Sequence, residues 1–515
     1  MVVSSLNIAL GVLGIITASI VFIYLYFTRN FNYWKILGVP YVQPSVIAGN
    51  LGNILFQKRD IARHLQELYL GNKDKPYVGF FSFDIPCLLI NDLDLVKNVL
   101  VKQFQSFTDR NVNVNSQTDP MFGRFMFSLK GQEWKHVRVH LTPVFSTGKM
   151  KGMFHLVEKC AGDLDNFIDD AISKDSNLDV KETMARYTTD SITNCAFGLE
   201  SNALKNEDSE IRRYLKTFVE YDVIKGVATL FLFFCPYLQN LFKLRFVDIP
   251  TTNFLRRTVW GAVDHREKTG LNRKDFIDHM MELRKKNDVS QNGRTFKIEG
   301  DTFVAQSFGF FFAGFETSAS TLTYTLYELA KHPEIQTRLR EEIMDSLAEN
   351  DNKISYEMLH KMTYLDMVVS ETLRKYPVLG FLDRVCVRDY ELPAPDGKGT
   401  VTIKAGTSIY IPLLGIQMDP EYYPDPEKYD PERFTEENKQ NRHNFSYMPF
   451  GEGPRICIGM RFGLMQVKTG LVHVLSRYEV APCKDTPIPM EYDTRSFLIS
   501  SVGDVPLHFK KLVTV

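Results

Sequence analysis

Ten residues late in the chain constrain its fold more than any other stretch. Phe450-Gly451-Glu452-Gly453-Pro454-Arg455-Ile456-Cys457-Ile458-Gly459 places three glycines and a proline around one cysteine. Glycine lets the backbone approach a flat partner closely and leaves peptide N–H groups free to face it. N–H groups aimed at a sulfur favour its thiolate form. Arg455, two residues earlier, adds positive charge. Helical patterning resumes at Gly459, so Cys457 is expected near a helix N-terminus, which also favours the anion. The segment reads as a socket holding one thiolate against a planar, anionic object. The plain alternative is a glycine-rich turn with an incidental cysteine.

The other cysteines do not compete for that role. There are seven in all, an odd number, with no C-x-x-C pair. A disulfide framework and a clustered zinc site are both poorly supported, and a reducing compartment fits better. The 515 residues are 44% apolar and carry 61 basic against 62 acidic side chains, for a net charge of −1. Disorder is excluded, and a nucleic-acid partner is not expected. With 38 Phe and only 3 Trp, the interior is expected to be large, with room for an apolar ligand. Neither phosphate-binding glycine fingerprint occurs.

Residues 1–28 carry no charged side chain, and Leu6 to Phe27 is a 22-residue apolar stretch. That length spans a bilayer core. It lacks the basic start and short core of a cleaved signal, and Tyr24, Tyr26 and Phe27 suit the interface. Arg29 and Lys35 follow it, which puts the bulk of the chain on the cytosolic side. Three segments are expected: an anchor over 1–28, a linker over 29–50 and a catalytic body over 51–515. The sequon at Asn444 would then go unused.

The body reads as mainly helical with small sheets, an α+β class. A hairpin is expected over Tyr77–Phe83 and Cys87–Ile90, turning at Asp84-Ile85-Pro86. Helical periodicity dominates from about 93 to 375. Strands return at Asp389–Leu392, Thr400–Ile403 and Ser408–Pro412, and the tail after 485 looks strand-like. Thr302 to Phe315 holds six Phe and no charge, too short to span a membrane and so expected to be buried. It ends in Ala313-Gly314-Phe315-Glu316-Thr317. An acid and a hydroxyl in a buried helix are costly without a use. Gly314 would thin the helix for a kink or groove. Val227 to Tyr237 is either core helix or a membrane-dipping segment beside a substrate entrance; the second is favoured.

Three weaker patterns accompany these. Glu371 and Arg374 stand at i, i+3, an ordinary ion pair by itself. Trp134 and Arg138 stand at i, i+4, each able to donate to an anion. Lys135, Arg442, His443, Arg461 and Lys468 form a candidate basic docking face.

The spacing F-G-x-G-x-R-x-C-x-G around Cys457, with A-G-x-E-T at Ala313 to Thr317 and E-x-x-R at Glu371 to Arg374, resembles the cytochrome P-450 superfamily. The whole chain is similar to insect microsomal members of family six, a detoxification group. The resemblance implies the family's fold, with haem b as cofactor and Cys457 as axial ligand of its iron. Phe450 and Gly459 would complete that loop. Trp134, Arg138, Arg384 and Arg455 would meet the haem propionates. Thr317 and Glu316 would relay protons to dioxygen, with Ala313 and Gly314 leaving it room. Glu371, Arg374 and Arg433 would form a structural triad. NADPH would supply electrons through NADPH–cytochrome P-450 reductase, with cytochrome b5 as a second partner, at the endoplasmic reticulum membrane. The substrates implied are apolar: plant toxins, insecticides or endogenous lipids. The loop Asn111–Phe127 and the helix at Phe308–Phe312 are the expected pocket walls. Gln417 and Met418 depart from the His common in relatives, and fewer prolines follow Tyr376. A reductase-independent isomerase or dehydratase, a haem sensor without turnover, and a non-haem cysteine nucleophile are the competing readings. The pair Glu316–Thr317 argues against the first two, and no His base points to the third.

Overall fold

The apolar run ending in Thr317 becomes the middle of one helix, Gly300–Lys331, 32 residues long and buried over most of its length. In this computed structural model, which describes residues 2–206, 208–220, 222–235, 241–285 and 297–512, that helix is the axis of the body. Two others pack along it, Val180–Phe197 and Met460–Arg477. The first is capped by Asp179, whose carboxylate accepts from the N–H groups of Lys181 and Glu182, and it stops at Gly198 with φ +64°. Such a cap is worth about 1 kcal/mol. Small residues set the spacing. A Cβ on Gly314 would stand 2.5 Å from Ile192, and one on Gly470 would stand 2.9 Å from Tyr187. Gly314 therefore admits a neighbouring helix, and the helix runs on through it as regular α-helix.

Small sheets flank the helices, as expected for the class. One has four strands in the order Tyr77–Ser82, Ile85–Ile90, Ser408–Ile411, Leu382–Val385. Its hairpin turns one residue earlier and more tightly than the sequence suggested: Ser82 pairs with Ile85, leaving Phe83 and Asp84 as the turn, and Phe83 takes φ +58°. Asp84, in that turn, is buried and paired with Arg29. Pro86 falls inside the second strand, opposite Phe81. A three-stranded sheet joins Asn177–Asp179, Pro506–Lys511 and Tyr478–Pro482, and a two-stranded one joins Tyr390–Pro393 and Thr400–Ile403. Of the tail after 485, only Pro506–Lys511 forms a named strand.

The helix Val2–Thr28 is the one described helix long and apolar enough to cross a membrane. Its window Ala9–Thr28 has mean hydropathy 2.2 and none of it is covered by the body. The segment after it lies against the first sheet. Arg29 pairs with the buried Asp84 at 2.6 Å, and Trp34, fully buried, donates to the Phe80 carbonyl at 3.3 Å. The Trp34 indole takes the space a side chain at Gly79 would fill.

The apolar run favoured as a membrane-dipping segment packs inward. In the helix Val223–Phe234, residues Leu230, Leu232, Phe233 and Phe234 are buried, and only its first turn, Val223 and Ile224, is strongly exposed. Phe233 and Phe234 find aromatic partners in Phe497 and Tyr410, which explains the inward face. Positions 236 and 237 lie outside the described residues.

Candidate active site

The Cys457 loop is closed by its own backbone. The Cys457 N–H donates to the Phe450 carbonyl at 2.9 Å, and the Ile456 N–H to the Gly453 carbonyl at 2.9 Å. Gly451 and Gly453 take φ +72° and +74°, a region that favours glycine. A Cβ at Gly453 would collide with the Leu100 carbonyl. The helix Met460–Arg477 starts directly after Gly459, so the cysteine sits at its head as the sequence indicated.

The thiol is ringed by protein yet has accessible surface, because it opens on an internal cavity of about 330 Å³. Burial pushes the Cys457 thiol up from its ordinary value. The Gly459 N–H is the largest opposing influence, followed by the charges of Arg138 and Arg110 and the Met460 N–H. The leading cationic help thus comes from Arg138, on the helix Gly131–Leu141, and not from the sequence neighbour Arg455. Arg455 turns away to donate to the Thr108 and Leu129 carbonyls at 2.5 and 2.8 Å and stacks on Trp134 at 4.3 Å.

Trp134, Arg138, Phe450, Arg455, Cys457 and Gly459 share this cavity with Ala313, Gly314, Glu316 and Thr317. Arg384 does not line it. It lies in the strand Leu382–Val385, 1% exposed, and acts on Arg455 through charge. Burial, then the charge of Arg110, pushes Arg384 down to about 9. Burial, then Arg110 and Arg384, pushes Arg455 down to about 8. Among the described residues no carboxylate hydrogen-bonds to Arg138, Arg384 or Arg455, and the Nε of Arg384 has no partner. Arg455 has one distant ion-pair contact among the described residues, Asp109 at 3.8 Å, and Arg138 is half-buried. Cations withdrawn from water and so weakly paired favour an anionic ligand. The residues therefore fit a planar dianion seated against a sulfur, which is what haem presents.

Across the cavity, one face of the long helix supplies Gln306, Gly309, Phe310, Ala313 and Thr317, at spacings of three and four. The Thr317 hydroxyl donates to the Ala313 carbonyl at 2.6 Å, which orients its oxygen. Glu316 is buried, and desolvation pushes its carboxyl up to about 7 against the lowering influence of Lys181 and Arg212. Its side chain also lines a second, polar cleft with Lys181, Glu182 and Arg212. The remaining walls are apolar. The expected loop contributes Phe122, Phe125, Met126 and Phe127, and the expected helix contributes Gly309, Phe310 and Phe312. Sequence reading missed Phe218, Phe246 and Phe497, which come from segments without a motif.

Away from the cavity the structure brings Glu371, Arg374 and Arg433 together, with Arg433 Nε 3.5 Å from Glu371 Oε1. Gln417, noted as a departure, is buried. Its Nε2 donates to the Leu373 and Arg374 carbonyls at 3.0 and 2.9 Å, and its Oε1 accepts from the Met448 N–H at 3.1 Å. It thereby ties the Glu371 helix to the chain entering the cysteine loop. The basic docking face is smaller than expected. Lys468 is buried on Asp366 and the Leu359 carbonyl, and Arg442 stacks on Tyr423 and Phe434. Lys135, His443 and Arg461 remain exposed.

Comparison with known proteins agrees with this geometry. A family model described as Cytochrome P450 matches residues 43–505. Cytochrome P450 6j1 of Blattella germanica is 48% identical over 95% of both chains, and Cytochrome P450 6k1 of the same insect is 42% identical over 97% of both. Probable cytochrome P450 6a14 of Drosophila melanogaster is 38% identical, covering 94% of this chain and 96% of its own. With a match over most of its length and a cysteine loop of this geometry, the chain belongs to the cytochrome P450 family.

Proposed function

We propose that this P450 monooxygenase takes electrons from NADPH through a membrane-bound reductase, with cytochrome b5 as a second donor, and oxidises bulky apolar molecules at the endoplasmic reticulum. Bulky apolar compounds, whether plant toxins, insecticides or endogenous lipids, suit the phenylalanine walls. The observation that carries the reading is the single cavity in which the Cys457 thiol faces a wall of phenylalanines, with Thr317 and Glu316 on the same surface.

Haem held by the Cys457 sulfur would supply the dioxygen chemistry that no side chain here can perform. The protein's share follows from its own residues. The Gly459 N–H, Arg138 and the Met460 N–H oppose the upward push of burial on the sulfur and so favour the anion that haem iron would take. Arg455 and Trp134 would meet the haem carboxylates, with Arg384 adding charge from behind the wall. Phenylalanines exclude water and bind the substrate by area. Thr317 presents an oxygen oriented by its bond to Ala313. Glu316, with a carboxyl near neutrality, donates a proton toward Thr317 and regains one from the polar cleft. The organisation proposed is an anchor over 1–28, a linker over 29–50 and a catalytic body over 51–515. Lys135, His443 and Arg461 would face the acidic reductase.

The test is a reduced, carbon-monoxide-bound difference spectrum on membranes containing the full chain, beside Cys457→Ser. A strongly red-shifted Soret band, lost in the variant, is expected. Substrate-stimulated NADPH consumption must then require added reductase. Turnover without reductase would instead favour the isomerase reading.

A further inference from the structure

The roof of the cavity is a loop, and the loop is fastened to the long helix. Gln306 is 2% exposed, so its amide needs partners. It finds them on either side of Phe125. Its Nε2 donates to the Arg124 carbonyl at 2.6 Å, and its Oε1 accepts from the Met126 N–H at 3.1 Å. Both peptide groups flanking Phe125 are thereby fixed, and its side chain keeps the only freedom. Gly309 stands three residues along the same helix face. A methyl built on Gly309 would collide with the Phe125 ring at Cε2 and Cδ2. Phe308 and Phe127 hold that ring from the sides, each with its centroid 6.2 Å away.

We propose that Gln306 and Gly309 together set the upper size limit on substrate. Gln306 is a positioning residue that holds Phe125 in the notch at Gly309, and the notch keeps the ring out of the substrate space. The inference rests on the reading above, because it takes this cavity as the place where the apolar substrate binds. The chemical class it selects is bulky and apolar, without a polar anchor at position 306. Both donor positions of the Gln306 amide are engaged, the second on the Thr302 carbonyl at 3.4 Å. A side chain at 309 has no room beside the clamped ring. The backbone on both sides is held, so the ring must swing into the cavity.

The experiment uses the full chain in membranes as wild type, Gly309→Ala, Phe125→Ala, their double variant, and Gln306→Leu. Two azoles serve as probes, imidazole and 1-tritylimidazole, since each shifts the Soret band on binding whatever the natural substrate. Gly309→Ala is expected to weaken tritylimidazole at least tenfold and imidazole less than twofold. With Phe125→Ala present, Gly309→Ala should change neither by more than twofold. Gln306→Leu should speed amide exchange across residues 120–128 at least tenfold. Equal losses for both azoles in Gly309→Ala, or unchanged exchange in Gln306→Leu, would overturn the proposal. Exchange is read with or without haem. A wild type that gives no azole spectrum would count against the proposed function, and the clamp would then be decided by exchange alone.

Discussion

Arg374 donates two parallel hydrogen bonds to Glu371, at 2.7 and 2.8 Å, and neither side chain reaches solvent. The remaining donors of Arg374 go to the Gln417 and Pro426 carbonyls, and Glu371 accepts from the Asp430 N–H at 2.9 Å. This fork fixes the segments that lead into the cysteine loop. Removing one partner leaves an uncompensated buried charge, at a cost of about 3–5 kcal/mol. Glu371→Ala is therefore expected to lower the melting temperature and the haem-to-protein ratio together. A variant that loads haem fully and melts with the parent would show the pair to be dispensable.

Three arginines withdrawn from water give a second expectation. Among the described residues Arg138 and Arg384 have no carboxylate partner and Arg455 has only a 3.8 Å contact with Asp109, so the haem carboxylates should contribute strongly to binding. A hydrogen bond to a charged group contributes about 1.5–3 kcal/mol. Haem dimethyl ester, which lacks both negative charges, should bind the haem-free protein at least tenfold more weakly than haem. Titration of each into the same preparation checks this. Equal affinities would mean that the arginines serve the fold alone.

How much was legible in the sequence depended on whether one segment held the whole signal. Cys457, Glu316 and Thr317 lie in short motifs; the residues themselves mark these positions, and the resemblance supplies the roles. The long buried helix was legible because its apolar run admits no other solution. The thiolate's cationic support was misplaced on Arg455, because proximity in sequence is a poor guide where a turn points alternate residues apart. Arg138, more than 300 positions away, fills the role through tertiary packing. The run Leu230–Phe234 was misread for a similar reason. Five apolar residues suit a lipid face or a core equally, and the choice fell to Phe497 and Tyr410, which no local pattern reveals. Gln417 looked like a loss of family pattern and turned out to hold three hydrogen bonds.

Truncation should be sensitive to where it falls. Trp34 is fully buried against Gly79, while the helix before Arg29 touches little of the body. Loss of a buried Trp costs about 3–5 kcal/mol. Removing residues 1–28 is expected to leave a folded body with its Soret band intact. Removing residues 1–36, or making Trp34→Ala in the shorter form, should lower its melting temperature markedly. Identical melting for the two truncations would mean that the indole adds nothing to stability.

Glu316 should impose a pH dependence on both stability and turnover. Burial holds its carboxyl at about 7, above the ordinary 4.5. The folded protein thus keeps a proton that the unfolded chain has lost between those values. Its contribution to stability is complete below about 4.5 and falls away as pH rises through about 7. Glu316→Gln removes that dependence, so the variant should match its parent near pH 4.5 and exceed it in stability at pH 8. Turnover should move the other way. Without the titrating carboxyl, proton delivery slows, and product formed per NADPH is expected to drop by roughly 100-fold, within the range of general acid–base effects. The inflection near pH 7 in the parent's profile should vanish with it. Denaturation midpoints at the two pH values, with product and NADPH measured across the neutral range, decide the matter. A variant that keeps the parent's profile in both would remove Glu316 from the proton path.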